Sequence, residues 1–423
     1  MPSYDTSVPA LVLKVGHYPL HHGGLAVVRT LGRVGVPAYA VTEDRFTPMA
    51  LSRHVTGRFV WRTGGERTYQ RQLLEGMGEV AERIGRPAVL LPTDDHAALF
   101  VSEHADALED RFLFARQPPG LVRAVTDKAE LHARCRELGL AAPATTVVER
   151  EDELAAFAET AGFPVVVKQA APFLLGDGRR MTSTRIVRDR RELLRTRIQG
   201  RLVLQEHLPS EHAEDWLFHG YCDTGSRCLV AFTGRKVRSW PVGAGETAFG
   251  RAERNPELEE LTRALLQALG YRGPVSMDYR YDRRDGTYKL LDLNPRVGAI
   301  FRLFTDEAGV DVVRALHLDL TGRPVPDAVP VDGRVVMVEG YDVRSARSLL
   351  KTRDLTLAEL SSSWRTISET AWFGRDDLLP PLVALARAAV PRRRERRGAP
   401  PRFVPGRARP RGLRPAVSGP GRA

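Results

Sequence analysis

The stretch Lys289-Leu290-Leu291-Asp292-Leu293-Asn294-Pro295-Arg296 decides how this chain is read. Side chains two apart on a strand share a face, so a strand here aims Asp292 and Asn294 at one point. Two hard oxygen ligands on one face suit Mg²⁺. A second apolar run, Pro274-Val275-Ser276-Met277-Asp278-Tyr279-Arg280-Tyr281, precedes it, and Arg283-Arg284-Asp285-Gly286 between the two reads as a hairpin turn. A three-residue loop closed by Gly286 in left-handed conformation pairs Arg283 with Thr287 and therefore Asp278 with Asp292. Facing carboxylates on neighbouring strands, with Cβ atoms roughly 5 Å apart, repel unless a cation lies between them. The competing reading of the pattern is two exposed acids on a solvated sheet face.

With these residues the chain resembles the ATP-grasp superfamily, and within it the carboxylate-amine ligases related to biotin carboxylase and carbamoyl-phosphate synthetase. The resemblance runs from about residue 10 to about residue 320, and the Asp-x-Asn-Pro-Arg strand end following an acid on the preceding strand is its most specific element. It implies that Asp278, Asp292 and Asn294 hold two Mg²⁺ ions, with Mn²⁺ as an alternative, against the β and γ phosphates of ATP. Arg296 resembles the arginine that steadies the transferred phosphate.

Lysine usage is a separate argument. Only six of the 63 basic residues are Lys, at 14, 128, 168, 236, 289 and 351. In so Arg-biased a chain a lysine marks a place where Arg would not serve. Lys168 ends the β-branched run Phe163-Pro164-Val165-Val166-Val167, where a buried charge is costly unless paired with an anion. A compact ammonium fits between phosphate oxygens where a planar guanidinium is too wide. Lys128, in Val125-Thr126-Asp127-Lys128-Ala129 opening a helix, resembles the second phosphate-binding lysine of the family.

The resemblance puts the adenine pocket at Leu202-Val203-Leu204-Gln205-Glu206-His207-Leu208. Gln205 would face the adenine amino group, and the backbone of Glu206 and Leu208 would supply the other base contacts. Asp215 resembles the acid that accepts from the ribose hydroxyls, with Glu214 and Glu211 as competitors. Residues 174–180 fall where the family has a glycine-rich flap, and they read equally as a plain hairpin turn. Lys236 and Arg302 are candidate holders of a substrate carboxylate. His17, His21 and His22 beside Gly23-Gly24 could line a substrate cleft or be structural.

Other chemistries find no support. The chain has no Gly-x-x-x-x-Gly-Lys-Ser/Thr and no Gly-x-Gly-x-x-Gly, so neither a P-loop nor a dinucleotide fingerprint is present. Gly-x-Ser-x-Gly and His-Glu-x-x-His are also missing. Cys135, Cys222 and Cys228 lack zinc-site spacing, and three thiols point to a reducing compartment without a disulfide framework. No apolar stretch approaches the roughly 20 residues of a membrane span and no signal peptide is visible, which makes cytoplasm the default location.

The expected fold is α/β with an α+β lid. Residues 1–122 alternate strand-like and helical patterns, as in a Rossmann-like pre-ATP-grasp domain. A two-lobed ATP-grasp domain follows, with a lid over 123–200 and a large half carrying the metal hairpin over 201–325. Residues 326–390 form a C-terminal extension of unassigned role. Residues 391–423 contain eleven Arg, seven Pro and one acid, Glu395, and carry +10 of the formal net charge of +11. With Phe403 almost alone as a large apolar residue, this tail is expected to be disordered, with weak salt-dependent affinity for polyanions. The expected activity is ATP-dependent joining of a small-molecule carboxylate to an amine, through an acyl-phosphate, with a homodimer as the candidate assembly. An ATP-grasp phosphotransferase, a bicarbonate-activating enzyme and an ATP-responsive nucleic-acid binder are the alternatives.

Overall fold

A computed structural model of the chain describes residues 2–61, 63, 69–170, 184–198, 200–243, 245–389 and 402–405. Residues 174–180, the candidate flap, lie outside the described residues. The first sheet holds β1 (Ala10–Leu13), β2 (Ala38–Thr42), β3 (Val55–Val60), β4 (Ala88–Pro92) and β5 (Phe112–Leu113), all parallel in the order 3-2-1-4-5. Leu11, Leu13, Val12, Val89 and Leu91 are completely buried, the signature of strands covered on both faces. Helices His22–Arg33, Tyr69–Ile84 and Asp95–Glu103 supply the cover.

The second sheet holds β6 (Thr145–Val148), β7 (Val165–Gln169), β8 (Arg185–Val187) and β9 (Leu202–Glu206), antiparallel in the order 6-9-7-8. Val165, Val167, Leu202 and Leu204 turn to one face and pack with Leu154 and Leu193 of two short helices. The intervening Lys168, Val203 and Gln205 belong to the other face. Leu202–Glu206, expected in the large half, thus hydrogen-bonds between β6 and β7, both from the segment expected as the lid. Its β-branched and leucine content suits any buried strand, and pairing alone decides which sheet it joins.

The third sheet holds β10 (Ala213–Cys222), β11 (Cys228–Trp240), β12 (Glu246–Ala252), β13 (Gly273–Asp282), β14 (Thr287–Asn294), β15 (Val335–Met337) and β16 (Glu369–Thr370), in the order 14-13-10-11-12-15-16. Helix Pro256–Ala268 covers one face through Leu258, Leu265 and Leu266 against Phe218, Met277 and Tyr279. The other face shares a single core with the first sheet, since Leu217, Phe232 and Phe304 cluster with Val12, Leu25 and Leu91. The C-terminal extension is built into this body. Its strands β15 and β16 continue the sheet, and Asp377 accepts from Arg29 Nε (3.0 Å) and Ser52 Oγ (2.6 Å) of the first unit.

The tail departs from the expectation of disorder at one place. Residues Arg402–Pro405 form a final strand, β17, antiparallel to β3 on the edge of the first sheet. The Phe403 ring centroid lies 5.3 Å from that of Phe59. Gly57 makes room for it: a Cβ there would stand 2.6 Å from Phe403 Cε2. A lone aromatic beside a β-branched residue is enough to dock a strand when an edge with unpaired backbone groups is available.

Candidate nucleotide and metal site

The β13–β14 hairpin pairs Asp282 with Thr287, Arg280 with Lys289 and Tyr279 with Leu290, then shifts by one residue and pairs Asp278 with Asp292 and Ser276 with Asn294. The pairing of the two acids was expected, but its origin differs. The turn holds four residues, 283–286, with Gly286 at φ +70°, and Asp282 anchors it by accepting from Arg284 N at 3.0 Å. The surplus residue of a bulge at Leu291 then restores the acid pair. The Leu291 carbonyl, in that bulge, accepts from Lys168 Nζ at 3.5 Å.

Besides Lys289 within it, three of the six lysines reach this hairpin from other elements. Lys128 Nζ lies 2.7 Å from Asp292 Oδ1, and Lys236 Nζ lies 2.5 Å from Asp278 Oδ1. Lys168 completes the set from β7. Burial alone would raise Asp292, but Lys128 and Lys168 outweigh it and hold the carboxyl below the usual carboxylate range. Burial pulls Lys236 down, yet Asp278 and Asp215 outweigh it and hold its pKa above that of free lysine. Lys168 shows the opposite balance: burial, and next the charge of Lys128, bring it down to about 8. A polyanion beside it would restore the ammonium.

Arg296 leaves β14 and turns toward the first unit, where its Nε stands 2.8 Å from Asp95 Oδ1 while its Nη2 donates to Asn294 Oδ1 at 3.0 Å. Burial opposes its charge, and Asp95 outweighs that and raises its pKa. Asn294 Nδ2 donates to the Ser276 carbonyl at 3.3 Å, which fixes the amide and turns Oδ1 to the site. Among the described residues no three His, Cys, Asp or Glu side chains form a complete metal cage. Two carboxylates and an amide oxygen on one face do suit Mg²⁺, which takes one or two protein carboxylates and completes its shell from phosphate and water. Four cations, Lys128, Lys168, Lys236 and Arg296, stand among these acids as donors that fit a triphosphate.

At the other end of the cleft Gln205 is 2% exposed; its Nε2 lies 2.9 Å from His132 Nε2 and 3.3 Å from Thr145 Oγ1. Glu206 N donates to the Ala144 carbonyl at 2.8 Å, so what Glu206 can offer a base is its carbonyl. The Leu208 carbonyl accepts from Arg280 Nη1 at 2.9 Å, so what Leu208 can offer is its N–H. An acceptor at 206 and a donor at 208 match the 6-amino group and N1 of adenine. Asp215 stands 2.9 Å from Arg280 Nε and acts on Lys236 through space, which places it on the metal-site side. Glu214 pairs instead with Arg235 and Arg283, and Glu211 is exposed.

Several residues fall elsewhere. Arg302 is engaged by Asp311 at 2.6 Å and Glu369 at 3.1 Å, a structural clamp rather than a free carboxylate holder. Lys236 joins the metal pair. His21 caps helix His22–Arg33 by accepting from Gly24 N at 3.3 Å, and burial, then Lys14, lower its pKa well below that of free histidine. His22 packs edge-on against Trp372. Asp95 and His132 were not foreseen as site residues. Asp94 caps helix Asp95–Glu103 by accepting from Ala97 N at 2.7 Å, and an Asp before a helical pattern is the signal that could have marked this turn. The reach of Asp95 to Arg296, 201 residues away in the chain, has no such local signal.

A search of family models finds no match. The chain is 22% identical over 273 residues to D-aspartate ligase of Enterococcus faecium, covering 61% of this chain and 65% of that protein. It is 30% identical over 191 residues to the carbamoyl phosphate synthase large chain of Deinococcus deserti, covering 42% of this chain and 18% of that one. It therefore spans less than two thirds of either relative. Among solved structures, the biotin carboxylase domain of Hydrogenobacter thermophilus 2-oxoglutarate carboxylase, in complex with MgADP and bicarbonate, superposes with a TM-score of 0.54 at 17% identity, over 76% of this chain and 71% of that one. N5-carboxyaminoimidazole synthetase of Staphylococcus aureus gives 0.54 at 11% identity, over 84% and 87%. The chain is thus a homologue of D-aspartate ligase and carbamoyl phosphate synthase, with the fold of the ATP-grasp carboxylate-amine ligases.

Proposed function

We propose that the chain is an ATP-dependent carboxylate-amine ligase that works through an acyl-phosphate and releases ADP and phosphate. The observation that carries this reading is the convergence of Lys128, Lys168 and Lys236 on the hairpin of the paired acids Asp278 and Asp292, with Arg296 held beside them by Asn294 and Asp95. No other ligand class so well suits four cations and a hard-metal face in one cleft as a metal-bound triphosphate. Two Mg²⁺ ions held by Asp278, Asp292 and Asn294, with Mn²⁺ as an alternative, would neutralise β- and γ-phosphate charge. Lys128 and Lys168 orient the phosphates, and Asp215 accepts from the ribose. Arg296, held by Asp95, Asn294 and the Val297 carbonyl, keeps one N–H on each terminal nitrogen for the phosphoryl group in transfer. The substrate carboxylate takes the γ-phosphoryl group; the amine then attacks the acyl carbon, expels phosphate and forms the amide.

The relative's name makes D-aspartate the first substrate to try, as amine and as acid. Screening carboxylate and amine pools for substrate-dependent release of ADP and phosphate tests the reading, and release of AMP with pyrophosphate overturns it. A homodimer and polyanion binding by the tail rest on analogy and charge alone.

A further inference from the structure

We propose that His132 and Thr145 are positioning residues that fix which end of the Gln205 amide faces the base, and so make the site select a 6-amino over a 6-oxo purine. The inference rests on the ATP reading above and deepens it.

Register puts Gln205 at the cleft. Val203 pairs with Lys168 on β7, so Gln205, two residues on, lies on the Lys168 face of the lid sheet, and it pairs with Thr145 on β6. Helix Lys128–Glu137 brings His132 to the same place, four residues and one turn after Lys128.

The orientation of the amide then follows from a chain of hydrogen bonds. The Thr145 hydroxyl gives its only proton to the Pro143 carbonyl at 2.8 Å. Thr145 Oγ1 can therefore only accept from Gln205, which requires the nitrogen at 3.3 Å to be the NH₂ end. The reverse orientation would set two oxygen lone-pair faces against each other. His132 Nε2, 2.9 Å from the same nitrogen, must also accept, which makes His132 neutral with its proton on Nδ1. Burial, then Lys168 and Lys128, lower its pKa to about 4, which keeps the ring neutral. Both amide hydrogens are thus committed within the lid, and Oε1 is presented as an acceptor. With the Glu206 carbonyl it offers two acceptors, matching the two hydrogens of a 6-amino group. A 6-oxo purine would bring an oxygen to the same point.

Calorimetric binding of ADP and IDP with Mg²⁺ to the full chain tests this without knowledge of the other substrates. Wild type should bind ADP at least about tenfold more tightly than IDP, a difference of about 1.4 kcal/mol. Thr145→Val and His132→Leu each free one amide hydrogen, and either should lower the ADP/IDP ratio at least about fivefold, whereas Thr145→Ser keeps the acceptor and should keep the ratio. Thermal melts identify a variant that fails to fold, and the other then carries the test. A wild type that binds neither diphosphate overturns the ATP reading and this inference with it. Equal binding of ADP and IDP by wild type, or an unchanged ratio in the folded variants, overturns the positioning role alone.

Discussion

Asp278 stands directly across β13–β14 from Asp292, and each carboxylate is held by its own lysine, Lys236 on one and Lys128 on the other. Two like charges at neighbouring positions of a sheet are destabilising by themselves. Here the lysines offset the repulsion, and they come from three different parts of the fold together with Lys168. Asp292 is therefore held as a carboxylate, and the pair turns its oxygens to one place suited to a hard cation.

Asp292→Asn should weaken ADP binding in the presence of Mg²⁺ at least about tenfold, about 1.4 kcal/mol, because the amide keeps the shape and loses the charge a hard cation needs. Without Mg²⁺ the variant should bind ADP as well as wild type or better, since Lys128 then lacks its carboxylate. Titration calorimetry with and without the metal checks both arms, with circular dichroism as the control for folding.

Lys168 gives the site a pH dependence. Its ammonium is charged below about 8 and lost above it, so ADP affinity should fall as pH rises through that value. Lys168→Arg stays charged throughout and should flatten the profile, at the cost of weaker binding at neutral pH, because the wider guanidinium must enter a strand-end slot. The sign for stability is the reverse. A lysine whose folded pKa is depressed opposes folding at neutral pH, and that opposition fades as pH rises from about 8 toward the free-lysine value. Binding curves at pH 7, 8 and 9 on both proteins decide the first point.

Arg302→Met should lower stability by about 3–5 kcal/mol, since it leaves the fully buried Asp311 with Arg314, at 4.0 Å, as its remaining cation, while Glu369 keeps Arg334 at 3.1 Å. Chemical denaturation measures this. Unchanged stability with a loss of substrate binding would return Arg302 to the role of carboxylate holder.

Phe403→Ala should destabilise the first unit by about 1–2 kcal/mol, the transfer energy of a partly buried aromatic ring, while nucleotide affinity stays the same because β3 carries no site residue. Truncation after residue 390 should do the same or slightly more. A melting curve and an ADP titration on each protein separate the two effects.

The sequence by itself determined the parts of this protein that depend on local pattern. Alternation placed Asp292 and Asn294 on one face; the β-branched run ending at Lys168 marked a buried strand; the scarcity of lysine singled out Lys128 and Lys168 before any contact was visible. Only the tertiary structure decided what those residues meet. The capture of Arg296 by Asp95, the engagement of Arg302 by Glu369 and the seating of Leu202–Glu206 in the second sheet all join segments far apart in the chain. A tail rich in arginine and proline has the composition of disorder, yet four of its residues pair with an open sheet edge. Periodicity and composition report how a segment uses its own backbone. Which partner it finds is settled by the packing of the whole molecule, where one edge, one counter-charge or one cavity outweighs local preference.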